Sequence, residues 1–225
     1  KAICRQFFKK TARYELLTEL LKTADSTLKN NIVEILSWID GVKLNAELIA
    51  LLEDDEFTDK IKDIFIRIGG SAVKDLLNEF KSTDSLKLKK IIIEIIGIIG
   101  GESEIDFLNT ELTSPAAVPY LDAIIYSLGW LTSETSLDLI SSYLDSENQS
   151  VANAAVGALS IIGSGGVVEF CRRNINSSNL LLKNSCIQII GYIGDSANIE
   201  IFKEIKEFEN KKIILSLIDA ISYIG

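Results

Sequence analysis

Histidine is absent from the 225 residues. Without it no Ser-His-Asp or Cys-His arrangement can be built, and the commonest general base is missing. Methionine is absent too, position 1 included. Proline occurs only at Pro115 and Pro119, and there are 14 glycines, a usage that suits helices joined by short turns. Cys4, Cys171 and Cys186 are odd in number and form no CxxC pair, which argues against a disulfide framework and a zinc site. Reduced thiols in a reducing, cytoplasmic setting are the simpler expectation. The longest apolar run, from Ile91 to Gly101, is interrupted by Glu94 and falls short of the roughly 20 residues a membrane helix needs. No signal-peptide pattern opens the chain.

Basic residues are also missing from one long stretch. Between Lys90 and Arg172 there is no Lys or Arg, while eleven acidic side chains stand there, from Glu94 to Glu169. Nucleic-acid affinity rests on neutralising phosphates with cations, so no nucleic acid and no anionic membrane surface is expected as a partner. Neighbouring carboxylates such as Glu102 and Glu104 read as solvated turn charge. The Glu53–Glu56 run lacks the spacing of a calcium loop. No metal, no cofactor and no catalytic residue is expected.

What the chain does contain is a recurrence. Ile39, Ile68, Ile99, Leu131, Ile162, Ile193 and Ile224 follow one another at spacings of 29, 31, 32, 31, 31 and 31 residues. Gly69, Gly100, Gly163, Gly194 and Gly225 follow five of these anchors directly. A period near thirty predicts a stacked repeat array over residues 1–225, each unit burying its face on its neighbours. Phe8 is in phase with the array and Gly225 stands where another unit would begin, so the chain reads as a fragment of a longer array.

Each unit reads as two helices. After an anchor, apolar residues fall at i, i+3 and i+7: Ile105, Leu108, Leu112, or Leu137, Ile140, Leu144. Second helices run into the anchors, over Leu88–Ile99, Pro119–Leu131, Val151–Ile162 and Leu182–Ile193. Ser103, Ser133 and Asp195 are expected to cap first helices, and Asp84, Ser114, Ser150 and Ser178 second ones. The glycine after an anchor suits a left-handed C-terminal cap. Two rows across the repeats are apolar throughout and predict the core. Seven before the anchors stand Ile32, Ile61, Ile92, Ile124, Ala155, Cys186 and Leu217. Nine after stand Leu48, Leu77, Leu108, Ile140, Cys171 and Phe202. Cys171 and Cys186 thus behave as small core hydrophobes. A row of small residues two before the anchors, including Gly97, Gly129 and Gly191, predicts close approach of a neighbouring helix.

Val151-Ala-Asn-Ala-Ala-Val-Gly-Ala-Leu-Ser-Ile-Ile-Gly163 and Leu182-Lys-Asn-Ser-Cys-Ile-Gln-Ile-Ile-Gly-Tyr-Ile-Gly-Asp195 resemble HEAT-like repeats, closest to the short variety first described in phycobilisome lyases. The likeness is good from about Leu86 onward. It implies an all-α, right-handed solenoid of about six two-helix repeats, with the second helices lining a concave face. Three rows on those helices fall outside the core and, being four apart, share one face. They hold Trp38, Trp130, Tyr192 and Tyr223; Glu34, Asp63, Glu94, Tyr126, Gln188 and Asp219; and Asp122, Asn153 and Asn184. Aromatics beside carboxylates and carboxamides predict a non-catalytic scaffold or adaptor holding a protein or extended, basic peptide. The alternatives are a lyase-like or cofactor-chaperone module and a degenerate DNA-glycosylase-type protein. The competing reading of the aromatics is packing between repeats.

Overall fold

A computed structural model describes residue 6 and residues 14–39, 46–206 and 210–224. Cys4, Phe8 and Gly225 lie outside the described residues. Every regular element among those described is helical, and no strand occurs. The chain divides into two compact units, residues 1–101 and 102–225.

The first unit contains α1 (Tyr14–Leu20), α2 (Ser26–Leu36), α3 (Ala46–Ala50), α4 (Thr58–Ile68), α5 (Val73–Ser82) and α6 (Leu86–Ile99). The second contains α7 (Glu102–Leu112), a 3-10 turn (Pro115–Tyr120), α8 (Leu121–Trp130), α9 (Leu137–Ser141), α10 (Gln149–Ile162), α11 (Gly165–Asn174), α12 (Leu180–Ile193), α13 (Ile199–Phe202) and α14 (Lys211–Ile224). Within each unit helices pair and stack in the manner of an α-solenoid, and α6, α8, α10, α12 and α14 are the second helices the period predicts. No described helix is long and apolar enough to cross a membrane.

Second helices are buried on more than one side, which explains their isoleucine-rich composition. In α6, Ile91, Ile92, Ile93, Ile95 and Ile96 are all buried. First helices bury one stripe, as Leu108 and Leu112 do in α7. The two core rows are buried at every position except Leu77 and Leu217, which are half-buried. Leu76 takes the buried place beside Leu77. The 3-10 turn at Gly69–Ala72 winds three residues per turn and shifts the register of α5 by one.

Capping follows the sequence in kind more than in position. Asp195 and Ser114 accept from Ala197 and Ala116 N–H, as expected. The second helices α6, α10 and α12 are capped by Ser85, Asn148 and Asn179 instead of Asp84, Ser150 and Ser178. Ser103 lies inside α7, and Ser133 makes no backbone cap bond. The N-cap needs an extended backbone as well as a side-chain oxygen, and sequence shows only the oxygen.

Gly163 and Gly194 adopt the left-handed conformation at the ends of α10 and α12. The corresponding place after α8 is Thr132, with φ 50°. Its N–H donates to Gly129 C=O at 2.9 Å, and Ser133 N–H to Leu128 C=O at 3.3 Å, the bonding pattern of a Schellman cap. A β-branched residue is strained there, by about 1 kcal/mol. Thr132→Gly should therefore raise the melting temperature by a few degrees, read by calorimetry; a lower one would mean that the threonine side chain stabilises the cap.

Cys171 on α11 and Cys186 on α12 are both fully buried and free. Hydrogen bonding to Cys186 and burial push the Cys171 thiol far above its ordinary value, so it stays protonated and inert.

Candidate binding face

The rows four apart do share a face of the second helices, and the two units use theirs differently. Sixteen basic and sixteen acidic residues fall in 1–101, against seven and sixteen in 102–225, so the whole net charge of −9 belongs to the second unit.

In the first unit several acidic residues find partners inside the unit. Glu94 pairs with Lys62 at 2.6 Å. Asp55 pairs with Lys87 at 2.6 Å, and Glu56 accepts from Ser26 and Asn30. Arg67 reaches back to the Ser37 carbonyl. Trp38 and Glu34 are half-buried, while Asp63 is exposed. No cluster of three or more potential metal ligands occurs among the described residues.

The second unit presents an open face. Trp130, Ile161, Tyr192 and Tyr223, one residue before successive anchors, are exposed by 62, 41, 50 and 61%. Tyr126 is exposed as well, its ring lying over Gly157 of α10; a Cβ at Gly157 would stand 2.9 Å from Tyr126 Cε1. The missing side chain is what makes room for the ring. Asp122 turns inward: one oxygen takes the Ser150 hydroxyl at 3.0 Å and the other the Ala123 N–H at 2.9 Å.

Helix spacing along this face alternates. An added Cβ at Gly129 would fall 2.6 Å from Ala158 Cα, and one at Gly191 2.6 Å from Ala220 Cα. These close approaches draw α8 against α10 and α12 against α14, whereas α10 and α12 pack less closely. Between α10 and α12 lies a hollow of about 190 Å³, lined by Gln149, Asn153, Asn184, Gln188, Ser185 and Lys212 among others. Asn184, 7% exposed, accepts from Ser216 at 2.6 Å, and Asn153 accepts from Gln149 at 2.7 Å. Those bonds leave the Asn153 and Asn184 amide N–H groups and the Gln149 oxygen without a partner among the described residues. Gln188 has one foot here and the other in a second, smaller hollow with Tyr192, Asp219 and Tyr223.

Asn153, Asn184 and Gln188 thus come together, and Gln188, Tyr192, Asp219 and Tyr223 meet beside them. Trp130 and Tyr126 lie on α8, away from both hollows, and Trp38, Glu34, Asp63 and Glu94 belong to the other unit. Gln149 and Lys212 escaped the sequence reading. Gln149 was within reach of it, because one more step of four before Asn153 lands on it; Lys212 carries no such signal.

No family model and no curated protein matches the chain. A solved structure of human deoxyhypusine hydroxylase in complex with glycerol is similar to it at 10% identity, over 99% of this chain and 97% of that one, with a TM-score of 0.44. The fold is an all-helical repeat solenoid. The HEAT-like neighbour is an enzyme, which corrects the expectation of a non-catalytic scaffold or adaptor: stacked helix pairs do not separate binders from catalysts. Lack of histidine removes one set of catalysts only, and carboxylates, tyrosines and lysines all line this face. A likeness at this level is one of fold, and neither activity nor substrate passes to this chain.

Proposed function

We propose that the α10–α14 face of the second unit recognises an extended, basic polypeptide segment. The observation that carries this reading is the hollow lined by Gln149, Asn153, Asn184 and Gln188. Carboxamides offer both a donor and an acceptor, which is what a polypeptide backbone presents in turn along its length. The exposed aromatic row beside the hollow supplies the apolar contact that binding hot spots use. The excess of sixteen acidic over seven basic residues in this unit favours a basic partner, and opposite charge speeds encounter. The repeats themselves we take to be of the short phycobilisome-lyase type, on their period of 31 residues. The buried free thiols Cys171 and Cys186 suit the cytoplasm.

The test is panning of random short peptides displayed on phage against the whole chain, followed by calorimetry of the enriched sequences. Enriched peptides should be rich in Lys and Arg, and Asn153→Ala or Gln149→Ala should weaken each about tenfold, roughly 1.4 kcal/mol. Both side chains belong to the hollow, and Asn153 is exposed, so thermal melts should stay unchanged. Absence of enrichment, or peptides indifferent to both substitutions, would refute the reading.

A further inference from the structure

The smaller hollow has a chemistry of its own. Tyr192 of α12 and Tyr223 of α14 stand one repeat apart, 31 residues in sequence, with ring centroids 5.1 Å apart and planes at 61°. Both rings are at least half exposed, so their contact buries little and leaves π-faces open to solvent. Asp219, one turn before Tyr223, is exposed and has no ion-pair partner among the described residues. Gln188, one turn before Tyr192, completes the wall; the floor is Ala220 and Ser216. The hollow is open to solvent, with a cavity volume of about 50 Å³. Beside it the missing side chain at Gly191 lets α12 approach α14 closely at Ala220.

Two tyrosine rings, one carboxylate without an ion-pair partner among the described residues and one carboxamide line this space, with no basic residue among the lining groups. Ring faces attract cations. A carboxylate set beside them asks for donors in one plane, which a guanidinium has and an ammonium lacks. Lys212 lies instead at the neighbouring carboxamide hollow, so positive charge is disfavoured there and favoured here. We propose that this hollow is an arginine site: the guanidinium stacks on a tyrosine face, donates to the Asp219 carboxylate and reaches the Gln188 oxygen. The assignment rests on the polypeptide reading above only for what delivers the arginine. It sets the register of such a segment, with the arginine side chain at the tyrosines and its backbone toward Asn184 and Asn153.

The probe is the tripeptide acetyl-Gly-Arg-Gly-amide, titrated into the chain labelled at its tyrosine rings and followed by NMR. The Tyr192 and Tyr223 ring signals should shift saturably. Asp219→Asn should weaken binding about tenfold, and Tyr192→Ala should abolish the saturable shift. The citrulline tripeptide, which keeps the shape and loses the charge, should not bind, and the lysine tripeptide should bind at least several-fold more weakly than arginine. Equal binding of citrulline, binding of lysine as tight as arginine, or no saturable ring shift overturns the proposal. Asp219→Asn keeps the test decisive should Tyr192→Ala disturb the fold. Failure of the arginine probe with phage peptides still bound would remove the arginine site alone; binding of the probe with no peptide enriched would remove the backbone-reading hollow alone.

Discussion

Gly191→Ala should lower the melting temperature by a few degrees, up to about 8 °C, although alanine is the better helix former by roughly 1 kcal/mol. The new methyl would sit 2.6 Å from both Cα and Cβ of Ala220. Backbone cannot swing aside as a side chain can, so α12 and α14 must separate, and overpacking of this kind costs about 1–3 kcal/mol. Gly191→Val should cost more. Trimming the partner, Ala220→Gly, should rescue Gly191→Ala only in part, because the main chain at position 220 still obstructs the new methyl. Gly165→Ala is the opposite case: its Cβ would meet nothing within 4 Å, and the change should stabilise by a few tenths of a kcal/mol up to about 1. Calorimetric melts of the variants check both signs. A Gly191→Ala protein as stable as its parent would mean that the two helices do not approach through this pair.

A comparable loss is expected at Tyr120. It is 1% exposed, and its hydroxyl donates to Glu111 at 2.8 Å. Tyr120→Ala should cost about 3–5 kcal/mol, as deletion of a buried aromatic ring does. Tyr120→Phe keeps the ring and should cost about 1–2 kcal/mol for the lost charge-assisted bond. The two variants also differ in pH dependence. Burial, then the Glu111 bond, raises the Tyr120 phenol well above its ordinary value of 10. The folded state therefore holds a proton that the unfolded chain releases near pH 10. That contribution is complete below pH 10 and is lost as pH rises beyond it. Denaturant midpoints measured from pH 8 to 11 should fall more steeply for the parent than for Tyr120→Phe. Parallel profiles would place the ring in water.

The repeat period carried most of the fold into view, because an apolar row needs only its phase to be recognised. Cys171, Cys186 and Ala155 fall in core rows beside isoleucines and are buried like them. What phase cannot supply is local winding. Leu77 lost its place to Leu76 through a 3-10 turn, and three of the second-helix caps moved by one or two residues. The face was legible in the same partial way. The row before the anchors held the exposed aromatics, yet nothing in the spacing of Asp122 said that Ser150 would take its carboxylate, or that Lys62 would take that of Glu94. Those pairings depend on which neighbouring helix stands opposite. The non-catalytic reading failed for a different reason. It was drawn from missing side chains, and an absent residue excludes only the chemistry that requires it.

The alternation of close and loose helix packing gives the second unit a coupling pattern. In a repeat protein, stability is carried by interfaces between nearest neighbours. Here strong links join α8 to α10 and α12 to α14, and a weaker one joins the two blocks. A chain with such unequal links opens first at the weak one, as a partial unfolding event below the global free energy. The carboxamide hollow lies at that link. A segment laid across it, as proposed, would touch α10 and α12 at once, so its binding would fasten the place where the unit comes apart most readily and tie the affinity of the face to the cooperativity of the unit.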